Sequence, residues 1–221
     1  MIYAMSDIHG CYKEFLKALE LIDLSKNNKL ILLGDYIHGG KDSYRVLEKI
    51  IELQNKYGKD KVVALMGNHE EMVIEFGEPI DINYKNLDEK NSFDNYYLNW
   101  MKSLKRYYVE GKTIFVHAGI DEESGDLWKV GTDDYTFTGK YPVQLGKFNC
   151  DMKIVAGHVG TAEISGNPDF HDIYFDGQSH YYIDGTVIVS GKIPIIAVDT
   201  KNDKYYSVTE TGLKSIEQYN I

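Results

Sequence analysis

Five short apolar runs in this chain each end on a residue that can hold a metal ion or move a proton. Ile2 to Met5 leads to Asp7 and His9, and Leu30 to Leu33 leads to Gly34-Asp35. Val62 to Met66 leads to Gly67-Asn68-His69-Glu70, Thr113 to Val116 leads to His117, and Ile154 to Ala156 leads to Gly157-His158. Such runs, stopped by turn residues, read as strands. In open α/β sheets ligands bind beyond the carboxyl ends of the strands, so five turns far apart in sequence can converge on one crevice. Asp7, His9, Asp35, Asn68, His117 and His158 form a mixed nitrogen and oxygen set. Such a set suits Mn, with Fe or Zn as alternatives, better than Ca or Mg. Six ligands are too many for one catalytic ion with an open position. They suit two ions sharing a bridging carboxylate, roughly 3.5–4 Å apart, which activate water and clamp both oxygens of a displacement at phosphorus. Each residue alone is weak, because a strand-end Asp commonly caps a helix and Gly before it is ordinary turn chemistry. The coincidence of all five turns carries the argument.

The elements that must position these residues alternate in the first half. Tyr12 to Leu24 places Phe15, Leu16, Leu19 and Ile22 at helical spacing, and Tyr44 to Leu53 does the same with Val46, Leu47, Ile50 and Ile51. A helix is expected from Glu70. Strand-helix alternation predicts parallel strands with crossover helices. The stretch from about 77 to 95 is polar and aperiodic, and reads as a loop or cap leading into an amphipathic helix from Tyr96 to Lys105. Arg106 to Val109 and Thr113 to Val116 predict a hairpin. Short strands are expected at Ile173 to Phe175, Tyr181 to Ile183, Ile195 to Val198 and Tyr205 to Val208, with antiparallel pairing throughout this last third. The expected fold class is α/β (an α+β four-layer arrangement): a two-sheet β-sandwich flanked by helices, in a single domain over residues 1–221. His171 and His180 lie outside the five turns and read as ordinary surface or hairpin residues.

Composition narrows the partners. The chain has 34 acidic and 24 basic residues, a formal net charge of -10, and no clustered Lys/Arg stripe. That argues against nucleic acid as a partner. A phosphate-bearing substrate would need local positive charge, and metal ions are a natural source. Cys11 and Cys150 form no Cys-x-x-Cys pair. No signal peptide and no apolar run of roughly 20 residues is visible, so the expectation is a cytoplasmic protein without a membrane partner.

The set Asp7-x-His9, Gly34-Asp35, Gly67-Asn68-His69-Glu70, His117 and Gly157-His158 resembles the calcineurin-like metallophosphoesterases, and more narrowly their phosphoprotein phosphatase branch with its symmetrical diadenosine tetraphosphatase relatives. The tail from Ile183 to Lys192, followed by Ile195 to Asp199, resembles the last strands of that branch. The resemblance implies a dinuclear centre: Asp7 and His9 on one metal, Asp35 bridging, and Asn68, His117 and His158 on the other. It implies that Asn68 also faces substrate, that His69 is the general acid, and that Glu70 supports the loop. The pattern departs from the branch in its second motif, where Asp becomes His38 and the phosphate-gripping Arg becomes Gly39. Val130 replaces a second Arg. His38 is then the expected partner of His69. Lys129, Lys41 and the N–H groups of Gly39-Gly40 are candidates for holding phosphate. The implied activity is metal-dependent phosphoester hydrolysis of a phosphoprotein or a small phosphoester, with a phosphomonoesterase of the serine/threonine protein phosphatase type favoured. The alternatives are a dinucleoside polyphosphate hydrolase and a catalytically impaired metal-binding regulatory protein.

Overall fold

The period-2 pattern of the strands builds the fold, because residues on either side of each strand bury against different partners. A computed structural model describes residues 1–81 and 95–220. The first sheet holds β1 (Ile2–Met5), β2 (Lys29–Leu32) and β3 (Val62–Ala64), all parallel. Two crossover helices, α1 (Tyr12–Glu20) and α2 (Ser43–Tyr57), join them. Antiparallel strands β9 (Ile196–Asp199), β10 (Lys204–Thr209) and β11 (Gly212–Ser215) extend the sheet beyond β1. The second sheet runs β4 (Tyr107–Glu110), β5 (Thr113–Val116), β6 (Lys153–Gly160), β8 (His180–Asp184) and β7 (Tyr174–Phe175).

Four layers follow from which residues bury together. Ile2, Ala4, Ile31, Leu33, Val63 and Leu65 pack against Phe115, Val155, Tyr181 and Ile183 of the other sheet. The alternate residues Met5, Leu30, Leu32, Val62 and Ala64 turn outward and bury under α1, α2 and the helix spanning 95–101, here α4. On the far face Ile114, Val116, Ile154, Ala156 and Tyr182 bury under Trp128, Phe137 and Phe148. Trp128 opens the short α5 (Trp128–Gly131) and Phe137 lies in α6 (Asp134–Gly139). The central strands are buried on both faces, which is why they read as continuous apolar runs.

The predicted hairpin forms as β4–β5, and α3 (Asn68–Phe76) follows β3. Three expectations change. The last third is not wholly antiparallel, since β6 pairs with β8 in parallel. Val187–Ser190, expected within the last strands, is a short helical turn, α8, after the brief α7 (Thr161–Ser165). The expected helix from Tyr96 stops at 101, and Lys105 instead bridges to Leu65. Most of the suspected cap, residues 82–94, lies outside the described residues. Among the described residues no helix is long and apolar enough to cross a membrane.

His180 corrects the sequence expectation most sharply. It sits in the β7–β8 hairpin, yet it is 1% exposed rather than at the surface. Its Nδ1 lies 2.7 Å from Asp176 Oδ2 and its Nε2 lies 3.0 Å from Glu122 Oε1. A carboxylate on each ring nitrogen favours the doubly protonated ring. Burial opposes that charge, but the hydrogen bonds to Asp176 and Glu122 outweigh it and raise the pKa to about 8. The same contacts help hold Asp176 down at about 2 against its burial. This bridge ties the loop before α5 to the second sheet. An imidazole whose pKa rises on folding stabilises fully below its ordinary value of 6.5, and the contribution is lost as pH rises through about 8. The stability difference between wild type and His180→Gln, measured by urea unfolding of metal-loaded protein, is expected to shrink by on the order of 2 kcal/mol between pH 6 and pH 9.

Candidate metal centre

Three of the five strands, β1, β2 and β6, turn their polar residues inward by a backbone conformation that side chains rarely adopt. Asp7, His9, Asp35 and His158 have φ of 54, 47, 54 and 67°. Each such residue costs on the order of 1–3 kcal/mol and persists only where neighbours over-determine it. Here the loops zip together in pairs. His9 N–H donates to Asp35 O at 2.9 Å, Gly10 N–H to Tyr36 O at 2.9 Å, and Gly157 N–H to His117 O at 2.7 Å. Gly157 must be glycine for the two sheets to meet here, since a Cβ would lie 2.2 Å from Asp7 Oδ2.

The structure brings all six expected ligands, with His69, around one centre. Oxygen and nitrogen atoms of Asp35, His117 and His158 lie within 4.8 Å of one another, as do those of His9, Asp35 and His69. Asp35 belongs to both groups, which is the geometry a bridging carboxylate requires. His9 Nε2 stands 3.8 Å from Asp7 Oδ1 and 3.7 Å from Asp35 Oδ2. His117 Nε2 stands 3.0 Å from Asn68 Oδ1 and 3.5 Å from Asp35 Oδ1, and His158 Nδ1 stands 3.1 Å from Asn68 Oδ1.

The donor set fits metal ions rather than a closed hydrogen-bond network. His9 Nδ1 donates to Ile37 O at 3.2 Å, and His117 Nδ1 donates to Leu33 O at 3.1 Å. A carbonyl only accepts, so each Nδ1 carries a proton and each Nε2 is the atom turned toward the carboxylates. Backbone-anchored imidazoles of this kind are what metal sites use. Asp7 Oδ1 is buried with no hydrogen-bond partner. Two buried carboxylates gathered under these Nε2 atoms, with one carboxylate oxygen left orphaned, fit cations between them.

The electrostatics say the same. Burial, with the charge of Asp35, raises the Asp7 carboxyl against the pull of His117 and His9. Burial and then the charge of Asp35 push Glu70 up to about 7. Burial and then the charge of Asp7 push Asp184 up to about 7. His117 rises to about 9, because Asp35, Asp7 and Glu70 outweigh its burial, while burial and the neighbouring His117 lower His158 to about 4. The pocket therefore gathers more carboxylate than its own protein groups can comfortably keep ionised.

The second shell is built from the same turns. Glu70, fully buried, accepts the N–H groups of Asp35, Tyr36 and Gly67 at 2.9, 2.9 and 3.1 Å. His38 Nδ1 lies 2.8 Å from His69 Nδ1, and His38 Nε2 lies 2.9 Å from Pro79 O. The phosphate-holding candidates fare differently. Gly40 spends its N–H on His9 O at 2.7 Å, so it offers none to an anion, which corrects the expectation for Gly40. Lys129 holds its ammonium 5.6 Å from the Trp128 ring centroid, on α5. Val130 is 86% exposed and Lys41 is exposed. Asp184 is a site residue that the sequence argument missed. Its signal was present, because Ile183-Asp184-Gly185 is another apolar strand ending in a carboxylate and a turn.

The profile of the calcineurin-like phosphoesterase family matches residues 1–191. A symmetrical bis(5'-nucleosyl)-tetraphosphatase of Nitrosospira multiformis is 32% identical over 124 residues, covering 54% of this chain and 43% of that protein. The chain thus matches under half the length of that relative. Among solved structures, the cold-active protein-tyrosine phosphatase of a psychrophilic Shewanella superposes with a TM-score of 0.65 at 17% identity, covering 98% of this chain and 80% of that one. A protein serine/threonine phosphatase from Saccharomyces cerevisiae gives 0.64 at 13% identity, covering 100% and 81%. At those identities the likeness concerns the fold.

If Asp35 is shared by two ions, Asp35→Asn should lower bound Mn from about two ions per chain to under one, measured by elemental analysis after gel filtration. Retention of both ions in the variant would remove Asp35 from the bridge.

Proposed function

The chain belongs to the calcineurin-like phosphoesterases, hydrolases whose fold implies a dinuclear centre of divalent metal, and from that premise we propose that it cleaves phosphoanhydrides as a dinucleoside polyphosphate hydrolase. One observation carries the choice of substrate: the partner of His69 is His38, whose far nitrogen is fixed on Pro79 O. A carbonyl cannot donate, so with both rings neutral His38 Nε2 carries the proton and its Nδ1 accepts. His69 Nδ1 must then donate to it. The remaining His69 nitrogen, Nε2, lies 3.8 Å from Asp35 Oδ2 and offers a lone pair. Burial, with the rings of His9 and His38, keeps His69 below its ordinary pKa despite Asp35.

A general acid needs a proton on the nitrogen that faces the leaving group. A carboxylate beside His69 would stabilise its imidazolium, whereas a carbonyl-anchored imidazole does not. General acid catalysis contributes about 10²–10⁴ in rate. A serine or threonine alkoxide needs that proton, while a nucleoside diphosphate departs as a stable anion without it. This asymmetry supports anhydride cleavage over the phosphoserine or phosphothreonine hydrolysis that the sequence favoured. The likeness to the Nitrosospira tetraphosphatase points the same way.

In this reading Asp7, His9 and Asp35 hold one ion, and Asn68, His117 and His158 hold the other with Asp35 shared. Mn is the proposed metal, with Fe or Zn as alternatives for the same nitrogen and oxygen set. When bound, the ions supply Lewis-acid polarisation of the phosphoryl oxygens and a more acidic attacking water. Glu70 holds the Asp35 turn by two N–H bonds and its own turn by a third, from Gly67. Asn68 and the His69 ring line the face that substrate approaches, and His38 fixes the ring.

The Mn-loaded protein is expected to split diadenosine tetraphosphate into two ADP at least about 100-fold faster than it dephosphorylates a phosphoserine peptide, compared as kcat/KM. The variant His38→Asp should narrow that gap by raising the phosphoserine rate about 10-fold. Equal rates on the two substrates in the wild type would defeat the proposal.

A further inference from the structure

The wall of the centre beside His9 is apolar. The short turn α8 leaves β8 directly after Asp184 and is fixed by its own bonds. Thr186 N–H donates to Asp184 Oδ1 at 2.7 Å, and Ser190 Oγ donates to Gly185 O at 2.6 Å. Val187 anchors the turn in the outer core. Ile188 and Val189 are left at the surface, 55% and 78% exposed. Ile188 does not point away from the centre. A Cβ built on Gly39 would lie 2.3 Å from Ile188 Cδ1 and 3.6 Å from His9 Cβ. The tip of Ile188 therefore fills the place where a side chain at position 39 would begin, next to a metal-site histidine. Gly39 has φ of +91°, so the backbone also disfavours a side chain there. Where the resemblance would place a guanidinium for phosphate, this chain presents a branched hydrocarbon.

We propose that Ile188 determines specificity by forming an apolar ledge for the planar ring of the substrate's non-phosphate part, a nucleobase or an aryl group. An exposed aliphatic side chain at the rim of a carboxylate-rich centre gains little from phosphate and gains contact energy from the face of a ring. The ledge is continuous with the metal centre through Gly39 and His9, so a group joined to the reacting phosphate by a short link reaches it. This inference rests on the proposed class of substrate and adds the group that the site recognises beyond phosphorus.

The test is equilibrium binding to Mn-loaded protein, by calorimetry, of ADP and of inorganic pyrophosphate. Both carry a diphosphate and only ADP carries a ring. Ile188→Ala is expected to weaken ADP roughly 10-fold while pyrophosphate changes less than about 2-fold, as fits removal of a few buried methyl and methylene groups. Ile188→Leu, which keeps the apolar volume, should hold ADP within about 2-fold of wild type. No loss of ADP binding in Ile188→Ala overturns the ledge. Equal loss of both ligands also overturns it, since the metal centre would then have been disturbed. The outcome is independent of turnover: if diadenosine tetraphosphate is not cleaved while the ADP margin still depends on Ile188, the anhydride proposal falls and the ledge stands.

Discussion

The carboxylate of Asp35 is the point at which both sheets and every catalytic turn meet. Its Oδ1 accepts the N–H of His69 at 3.0 Å and stands 3.5 Å from His117 Nε2, and its Oδ2 stands 3.7 and 3.8 Å from His9 and His69. Its own N–H is held by Glu70, a second buried carboxylate. Two such groups this close in a water-poor pocket repel each other, and part of that repulsion is expressed in the raised Glu70 carboxyl. Backbone N–H groups compensate Glu70, and the imidazoles compensate Asp35. What is left over, including the orphaned Asp7 Oδ1, is a demand for cations. The architecture of the turns and the need for metal are thus one constraint.

The same constraint explains why strained backbone collects here. Of the non-glycine residues with positive φ among the described residues, Asp7, His9, Asp35, His38, His158 and Thr186 all belong to the centre or its immediate surroundings, and only Asp203 lies elsewhere. A strand end that continued straight would carry its side chain past the crevice. Turning it back costs energy at each residue, and the pairwise bonds between turns, such as His9 with Asp35 and Gly157 with His117, hold the conformation in place. The rigid sandwich behind them makes that possible, because Ile31, Leu33, Phe115 and Val155 are fully buried at the inner face.

The metal set was legible in sequence because its logic is local. The candidate ligands sit at or within a few residues of the end of an apolar run, and that run announces the strand. Which face of each strand turns inward was not legible, since Ile2, Ala4, Ile31 and Leu33 alternate with Tyr3, Met5, Leu30 and Leu32, which are apolar too. What was not legible depended on partners distant along the chain. His180 looked like a hairpin residue because Glu122, 58 residues away, is what buries its charge. The parallel pairing of β6 with β8 was hidden because short strands bounded by turns look alike whichever way they pair. Val187-Ile188-Val189 is β-branched and reads as strand, but Thr186 and Gly191 in left-handed conformations close it into a turn of helix, a tertiary override of propensity. Ile188 could be connected with Gly39 only once that turn had a position.

The two departures from the family pattern in the second motif, His38 and Gly39, act on different halves of a substrate. His38 changes what the centre offers the leaving group. In the proposed reading, an imidazole anchored on a carbonyl leaves His69 a lone pair to offer the reaction, which suits a leaving group stable without a proton. Gly39 changes what the wall offers the rest of the molecule, because the space beside His9 holds hydrocarbon from Ile188 rather than a charged fork. A substrate that suits both changes brings its own good leaving group and its own ring. A nucleotide joined through a phosphoanhydride has these two properties together, whereas a phosphoserine side chain has neither. Taken as losses, the missing Asp and Arg describe a weakened phosphatase. Taken with the residues that replaced them, they fit the proposed reading, in which selectivity moves from gripping phosphate to recognising what phosphate is attached to.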